Sequence, residues 1–368
     1  MKICKSGATL SKIVQISEKL KALSAQNGTD YLLLNRGVNS VVNIDLSEVT
    51  QKMNFNSNDI QVYPPAKGFD TLREAINTEY FCGKSSKDNV LITAGGMNAL
   101  DLIIQAVDIE KLFLPVYYWG CYFQMLQVRG VGNSEYYAQS ELYDRIDELK
   151  GNAVLICDPG NPLGEKYDDQ EQFKLIKTLS DAGVVVFFDS PYRRIFYDAT
   201  DDYYYRLSQL ENVVITESFS KSVGLSGQRL GFIHSTNKEL NLELAIRLMY
   251  CTNGINAFAQ QLVLSLLTTE EGIKASDDFK AATARDIKLN IEYLAERGFL
   301  ADEFYSGGST PKGIFVVVNK TEDELIEKFI GSVSLSFFTK SQKEYASQFA
   351  RICVSVPHER FVKYFSQF

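Results

Sequence analysis

The stretch Thr216-Glu-Ser-Phe-Ser-Lys221-Ser-Val-Gly-Leu-Ser-Gly-Gln-Arg229-Leu-Gly-Phe232 sets a lysine directly behind an apolar run and surrounds it with hydroxyls and glycines. An amine that condenses with a carbonyl needs such a restrained position, and Ser218, Ser220 and Arg229 supply donors for a phosphate. Read alone, Lys221 in a serine-rich turn reads first as solvated surface, so its meaning depends on what stands around it. Upstream, Asp189 ends the run Gly-Val-Val-Val-Phe-Phe-Asp189, and Tyr192 follows three residues later. Asn161-Pro-Leu-Gly164 follows another apolar run that closes at Asp158. Thr93-Ala-Gly95-Gly96-Met97 joins a strand to a helix and leaves backbone N–H groups free for an anion. All of these positions fall at the carboxyl ends of strands, where α/β sheets bind ligands.

The runs themselves predict the architecture. Val90–Thr93, Leu112–Leu114, Ala153–Cys157, Val184–Phe188, Val213–Thr216 and Leu230–Ile233 alternate with helix-like stretches such as Asn98–Val107 and Asp169–Leu179. That alternation predicts an α/β domain with a mostly parallel sheet, and runs apolar throughout predict strands covered on both faces. Past residue 285 the texture changes to a helix (Asp286–Arg297), a strand (Ile314–Val318), a helix (Asp323–Ile330) and strands near Val333–Phe337 and Ile352–Val356. A helix at Leu10–Leu23 precedes the sheet. The expected division is a large domain over 45–285 and a smaller α+β domain built from 1–44 and 286–368.

Composition narrows the function classes. The 368 residues, 45% hydrophobic and 23% charged, suit a soluble globular chain long enough for two domains. Thirty-eight Lys and Arg against 46 Asp and Glu give a net charge of -8, which argues against nucleic acid as a partner. Six dispersed cysteines form no CxxC pair, and His234 and His358 are the only imidazoles, so neither a metal site nor a Ser-His-Asp triad is expected. The amino terminus lacks an apolar block of signal-peptide length, and no membrane segment is expected. These features describe a reduced, cytoplasmic protein.

The ordered set resembles the class I/II aminotransferases, the fold-type I pyridoxal-phosphate enzymes, from about Gly37 to Arg351. Ser218-x-Ser220-Lys221 with Arg229 eight residues on, Asn161-Pro-x-Gly164 and Asp189-x-x-Tyr192 carry the resemblance. Tyr63-x-x-x-x-Gly68 with Leu72-Arg73, Pro115-x-Tyr117 and Arg351 extend it. It implies a homodimer with shared sites, pyridoxal 5′-phosphate as cofactor, and exchange of an amino group between an α-amino acid and a 2-oxo acid. In that scheme Lys221 holds the cofactor aldehyde and moves the substrate proton. Asp189 sets the ring nitrogen, and Asn161 and Tyr192 bind the ring hydroxyl. Gly95, Gly96, Met97, Ser218, Ser220 and Arg229 grip the phosphate, Tyr63 reaches it from a second subunit, and Tyr117 stacks on the ring. Gly37, Asn161 and Arg351 bind substrate, Arg351 pairing with its α-carboxylate.

Two departures bear on subfamily and substrate: Asp158-Pro-Gly-Asn161-Pro-Leu163-Gly stands where the family has Asn-Pro-x-Asn-Pro-Thr-Gly, and Ser190 where it has an acidic residue after Asp189. A lyase or decarboxylase on the same scaffold shares every residue named. Taken singly, Asp189 also reads as a helix cap, Asn161 as a turn residue and Arg351 as a surface ion-pair partner. Arg193 and Arg194 read as solvated charges and stay outside the site. An acyl-serine enzyme built on Ser218-x-x-Lys221 lacks its Lys-Thr-Gly, and Gly130-Val-Gly132 lacks the third glycine of a dinucleotide loop, Glu135 standing there. A non-catalytic cofactor-binding module would have no need to keep both Lys221 and Asp189.

Overall fold

The computed structural model describes residues 1–10 and 12–368. Its centre is a seven-stranded sheet in the order Val90–Thr93, Gly231–His234, Val213–Ser218, Val185–Asp189, Ala153–Cys157, Lys111–Pro115 and Gly132–Tyr136. Gly231–His234 runs antiparallel to both neighbours and the other six strands run parallel to one another. Helices on the faces bury the apolar runs, and the largest hydrophobic cluster draws on both layers, from Ile92 and Phe113 in the sheet to Leu100 and Ile176 in helices. This is the α/β sheet expected from the sequence. Register carries function here: Cys157 lies opposite Asp189 and Asp189 opposite Thr216, so these three share one level at the carboxyl edge.

A second body is built on the antiparallel sheet Phe315–Val318, Ala350–Cys353 and Val333–Ser334. Leu32–Leu33 joins it by parallel pairing with Ile330–Gly331, and the helix His358–Phe365 closes its core with Phe361 and Phe365. The helix expected at Leu10–Leu23 spans Lys12–Asn27, Ser11 lying outside the described residues.

Three local differences from the sequence reading have plain causes. The long helix begins at Glu270, not Asp286, because Thr269 caps it through the Gly272 amide and Glu270 and Glu271 favour its first turn. It therefore passes through residue 285, Ala275 packing on the first core and Ile287 and Leu294 on the second. Only Val333–Ser334 of the expected strand pairs, and Leu335–Phe338 tightens into a 3-10 turn. The strand Gly132–Tyr136 was not anticipated: it edges the sheet, and its polar Gly-Asn-Ser-Glu-Tyr lacks the apolar signature of strands buried on both faces.

Candidate active site

At the carboxyl edge of the sheet, Asp189 is buried and receives two hydrogen bonds: Tyr122 Oη donates to Oδ2 at 2.5 Å and Thr216 Oγ1 to Oδ1 at 2.9 Å. Burial pushes this carboxyl up to about 6, and the two donors oppose the rise. Tyr122 has no sequence signal, since it sits on the helix Gly120–Arg129 and only the packing of that helix brings it to Asp189. Tyr122→Phe removes a donor worth about 1.5–3 kcal/mol to a charged acceptor, which is one to two pH units on the carboxyl. The acid limb of the activity–pH profile should accordingly move up in that variant; an unmoved limb means Tyr122 only fills space.

Asn161 links two further residues. Its Nδ2 donates to Tyr192 Oη at 3.1 Å, and its Oδ1 accepts from Arg351 Nη1 at 3.3 Å. Arg351, on the strand Ala350–Cys353, donates through Nη2 to the Asn35 carbonyl at 2.5 Å and lies over the rings of Phe315 and Phe338. It is 1% exposed, its Nε has no hydrogen-bond partner, and among the described residues no carboxylate pairs with it. Burial pulls its guanidinium down to about 10. A buried cation left this way is costly until an anion reaches it. The surface ion-pair reading of Arg351 does not survive.

Lys221 stands on the short turn Phe219–Ser222 that Ser218 caps, and its Nζ donates to the Gly37 carbonyl. Burial pulls the amine down to about 8, with the cations Arg229, Arg36 and Arg351 acting in the same direction and Cys353 against it. A Cβ on Gly37 would strike the Phe315 ring, so glycine allows this close approach.

The remaining donors converge beside Lys221. Ser218 Oγ donates to Ser220 Oγ at 2.9 Å, and Arg229 Nη1 lies 3.4 Å from Ser220 Oγ while donating to the Ser226 carbonyl at 2.8 Å. Gly95, at φ 84°, lets the chain pass against Arg229, where a Cβ would stand 2.7 Å from Nη2. Gly96 opens the helix Gly96–Ala106, so its free N–H groups add to the cation and hydroxyls. Cation, hydroxyls and helix N-terminus suit a phosphate. With the acceptor Asp189, the donors Asn161 and Tyr192 and the amine Lys221, the set fits a phosphorylated hydroxypyridine aldehyde.

Not every expected residue joins this constellation. Tyr117 is buried two residues past the strand Lys111–Pro115, edge-on to Phe304. Met97 is half-exposed and Tyr63 is 83% exposed. Arg193 and Arg194 are not solvated: Arg193 bonds Asp169 and Asp201, and Arg194 bonds Glu79 at 2.6 Å, both fully buried. These pairs hold the loop after the strand Val185–Asp189.

Residues 29–365 match the family described as aminotransferase class I and II. A putative aminotransferase, YugH, of Bacillus subtilis is 26% identical over 253 residues, 64% of this chain and 64% of that protein. A histidinol-phosphate aminotransferase of Flavobacterium psychrophilum is 26% identical over 227 residues, 57% of this chain. The chain thus spans 64% and 60% of the lengths of these curated relatives. The aspartate aminotransferase of Thermus thermophilus, solved with maleate, superposes with a TM-score of 0.83 at 18% identity, over 100% of this chain and 99% of that one, and so shares its fold.

Proposed function

Because the chain belongs to the class I and II aminotransferases, we propose that it moves the amino group of an α-amino acid to a 2-oxo acid in two half-reactions, using pyridoxal 5′-phosphate held through Lys221. The observation that carries this reading is Arg351: a buried guanidinium without a carboxylate partner, hydrogen-bonded to Asn161, is a ready clamp for the α-carboxylate of an amino acid. When bound, the cofactor supplies an aldehyde that takes the amino group and a ring that accepts the electron pair left on the α-carbon.

The chain's own residues then divide the work. Lys221, with its amine pulled down to about 8, is partly neutral near pH 7, so Nζ takes the α-proton and returns it to the neighbouring carbon. Asp189, ionised by the partner it meets, keeps a proton on the ring nitrogen. Asn161 and Tyr192 would hold the ring hydroxyl, and Ser218, Ser220, Arg229 and the backbone at Gly95, Gly96 and Met97 would hold the phosphate; Tyr117, set edge-on to Phe304, would have to turn to cover the ring. Gly37 and Asn161 complete the carboxylate site with Arg351. Closing the body of 1–44 and 286–368 onto that of 45–285 would shut water out of the site.

The loaded protein, given a suitable amino acid and no oxo acid, should release one 2-oxo acid per site and stop, and an added 2-oxo acid should restore it. Continuous release of ammonia or carbon dioxide from the amino acid alone would establish the lyase or decarboxylase reading instead.

The working unit we propose is a homodimer in which Tyr63 crosses to the partner's phosphate, a role suited to a tyrosine that is 83% exposed in one chain. Mixed under conditions where subunits exchange, Tyr63→Phe and Lys221→Ala proteins should regain activity, since one site of each mixed dimer has both residues; no recovery counts against sharing. A cytoplasmic setting fits six cysteines that are all free thiols. No described helix is long and apolar enough to cross a membrane.

A further inference from the structure

Beside Asn161 lies a cavity of about 280 Å³, near the lower end of small-molecule pockets. Tyr117, Tyr136 and Leu163 supply its apolar wall, Asn161 and Glu165 its inner polar groups, and Glu303 its exposed rim. Glu165 opens the strand Glu165–Tyr167, which pairs with Ser309–Pro311 and so is fastened between the two bodies. Its carboxyl lies on the Cα of Gly160, where any Cβ would collide with it. Gly160 has no side chain to compete for this space, and so it makes room for the acid.

The Glu165 carboxyl lacks what it needs. Oε2 is buried with no hydrogen-bond partner, no lysine or arginine lines the cavity, and among the described residues no cation pairs with Glu165. Two other polar groups of the wall are engaged: Tyr136 Oη donates to the Leu155 carbonyl, and the Asn161 amide is used at both ends. Burial pushes the Glu165 carboxyl up to about 8, as expected of an acid without a cation. A buried acceptor left unpaired is stabilised by whatever brings a donor to it.

We propose that this cavity receives the side chain of the amino donor, and that Glu165 selects an apolar stem ending in an amine, guanidinium or imidazolium. The inference rests on the amino-transfer reading, in which a carboxylate on Arg351 lies against Asn161 and so at the cavity's edge. A donor ending in a carboxylate or phosphate would bring like charge to Glu303 and hold Glu165 in its neutral form, with no cation lining the cavity to offset its own burial.

The test compares lysine, ornithine, arginine and histidine with norleucine and glutamate, on the cofactor-loaded wild type and Glu165→Gln. It measures kcat/KM for amino transfer and, separately, Kd by calorimetry. Basic donors should exceed norleucine by at least about tenfold, and Glu165→Gln should erase at least about tenfold of that ratio, the loss expected for one charge-assisted hydrogen bond. Transfer that favours norleucine or glutamate, or a ratio unmoved in Glu165→Gln, overturns the subsite and leaves amino transfer standing. Basic ligands that bind through Glu165 without any transfer uphold the subsite and overturn the reaction. Basic ligands that neither bind nor react overturn the subsite. Should Glu165→Gln not fold, the wild-type comparison alone decides.

Discussion

Lys221→Ala is expected to lower amino transfer by roughly 10²–10⁴-fold through loss of its acid–base chemistry alone, and further through loss of the covalent hold on the cofactor. Borohydride reduction of the loaded wild type followed by peptide mapping should place the cofactor on the peptide that contains Lys221, with none on the variant. An adduct on a different lysine would remove Lys221 from the centre of the mechanism. A second readout needs no cofactor. The amine is pulled from an ordinary 10.5 down to about 8 because burial disfavours its charge, so below pH 8 the folded chain bears the cost of burying that charge. As pH rises from about 8 to 10.5 the folded amine is already neutral while the unfolded one loses its proton, and the cost fades. Cofactor-free Lys221→Met should therefore melt above the wild type at pH 7, with the gap closing towards pH 10.5. A constant gap would mean that packing, not charge, separates the two proteins.

Asp189→Asn is expected to leave the fold and much of the cofactor binding while cutting turnover by roughly 10²–10⁴-fold. That range corresponds to losing one partner of a buried charge pair, about 3–5 kcal/mol. Asparagine keeps the volume and an acceptor for one of Tyr122 and Thr216, which donate to the two carboxylate oxygens here, the other hydroxyl turning to accept from its amide, but it cannot balance a protonated ring nitrogen. Cofactor content from absorbance, set beside the single-turnover rate, separates binding from chemistry. A loaded variant that turns over at nearly the wild-type rate would reduce Asp189 to a structural carboxyl.

Much of the sheet was legible because parallel strands buried on both faces must be apolar throughout. Val90–Thr93 and Ala153–Cys157 appear at the expected bounds, and the other central strands within a few residues. The edge strand Gly132–Tyr136 was illegible for the converse reason, since a strand with an open side tolerates Asn, Ser and Glu. The helix Glu270–Glu296 was read short because its amino-terminal half carries many charged residues, and its periodicity weakens where it passes from one core to the other. Charge alone predicts solvation for Arg193 and Arg194, whereas Asp201 eight residues on, Asp169 and the far more distant Glu79 meet them in the interior.

By itself the sequence determined the α/β class, the order of elements and the local motifs around Lys221, Asp189 and Asn161, because hydrophobic period, glycine placement and short spacing are properties of contiguous residues. Tertiary structure alone decided what those motifs touch. Tyr122 reaches Asp189 across 67 residues and Arg351 reaches Asn161 across 190, contacts that no local pattern encodes. Among the described residues it alone left Arg351 buried with no carboxylate partner and Glu165 Oε2 buried with no donor. Whether a polar atom is satisfied depends on every chain segment that packs around it, and that becomes defined only when the whole chain has folded.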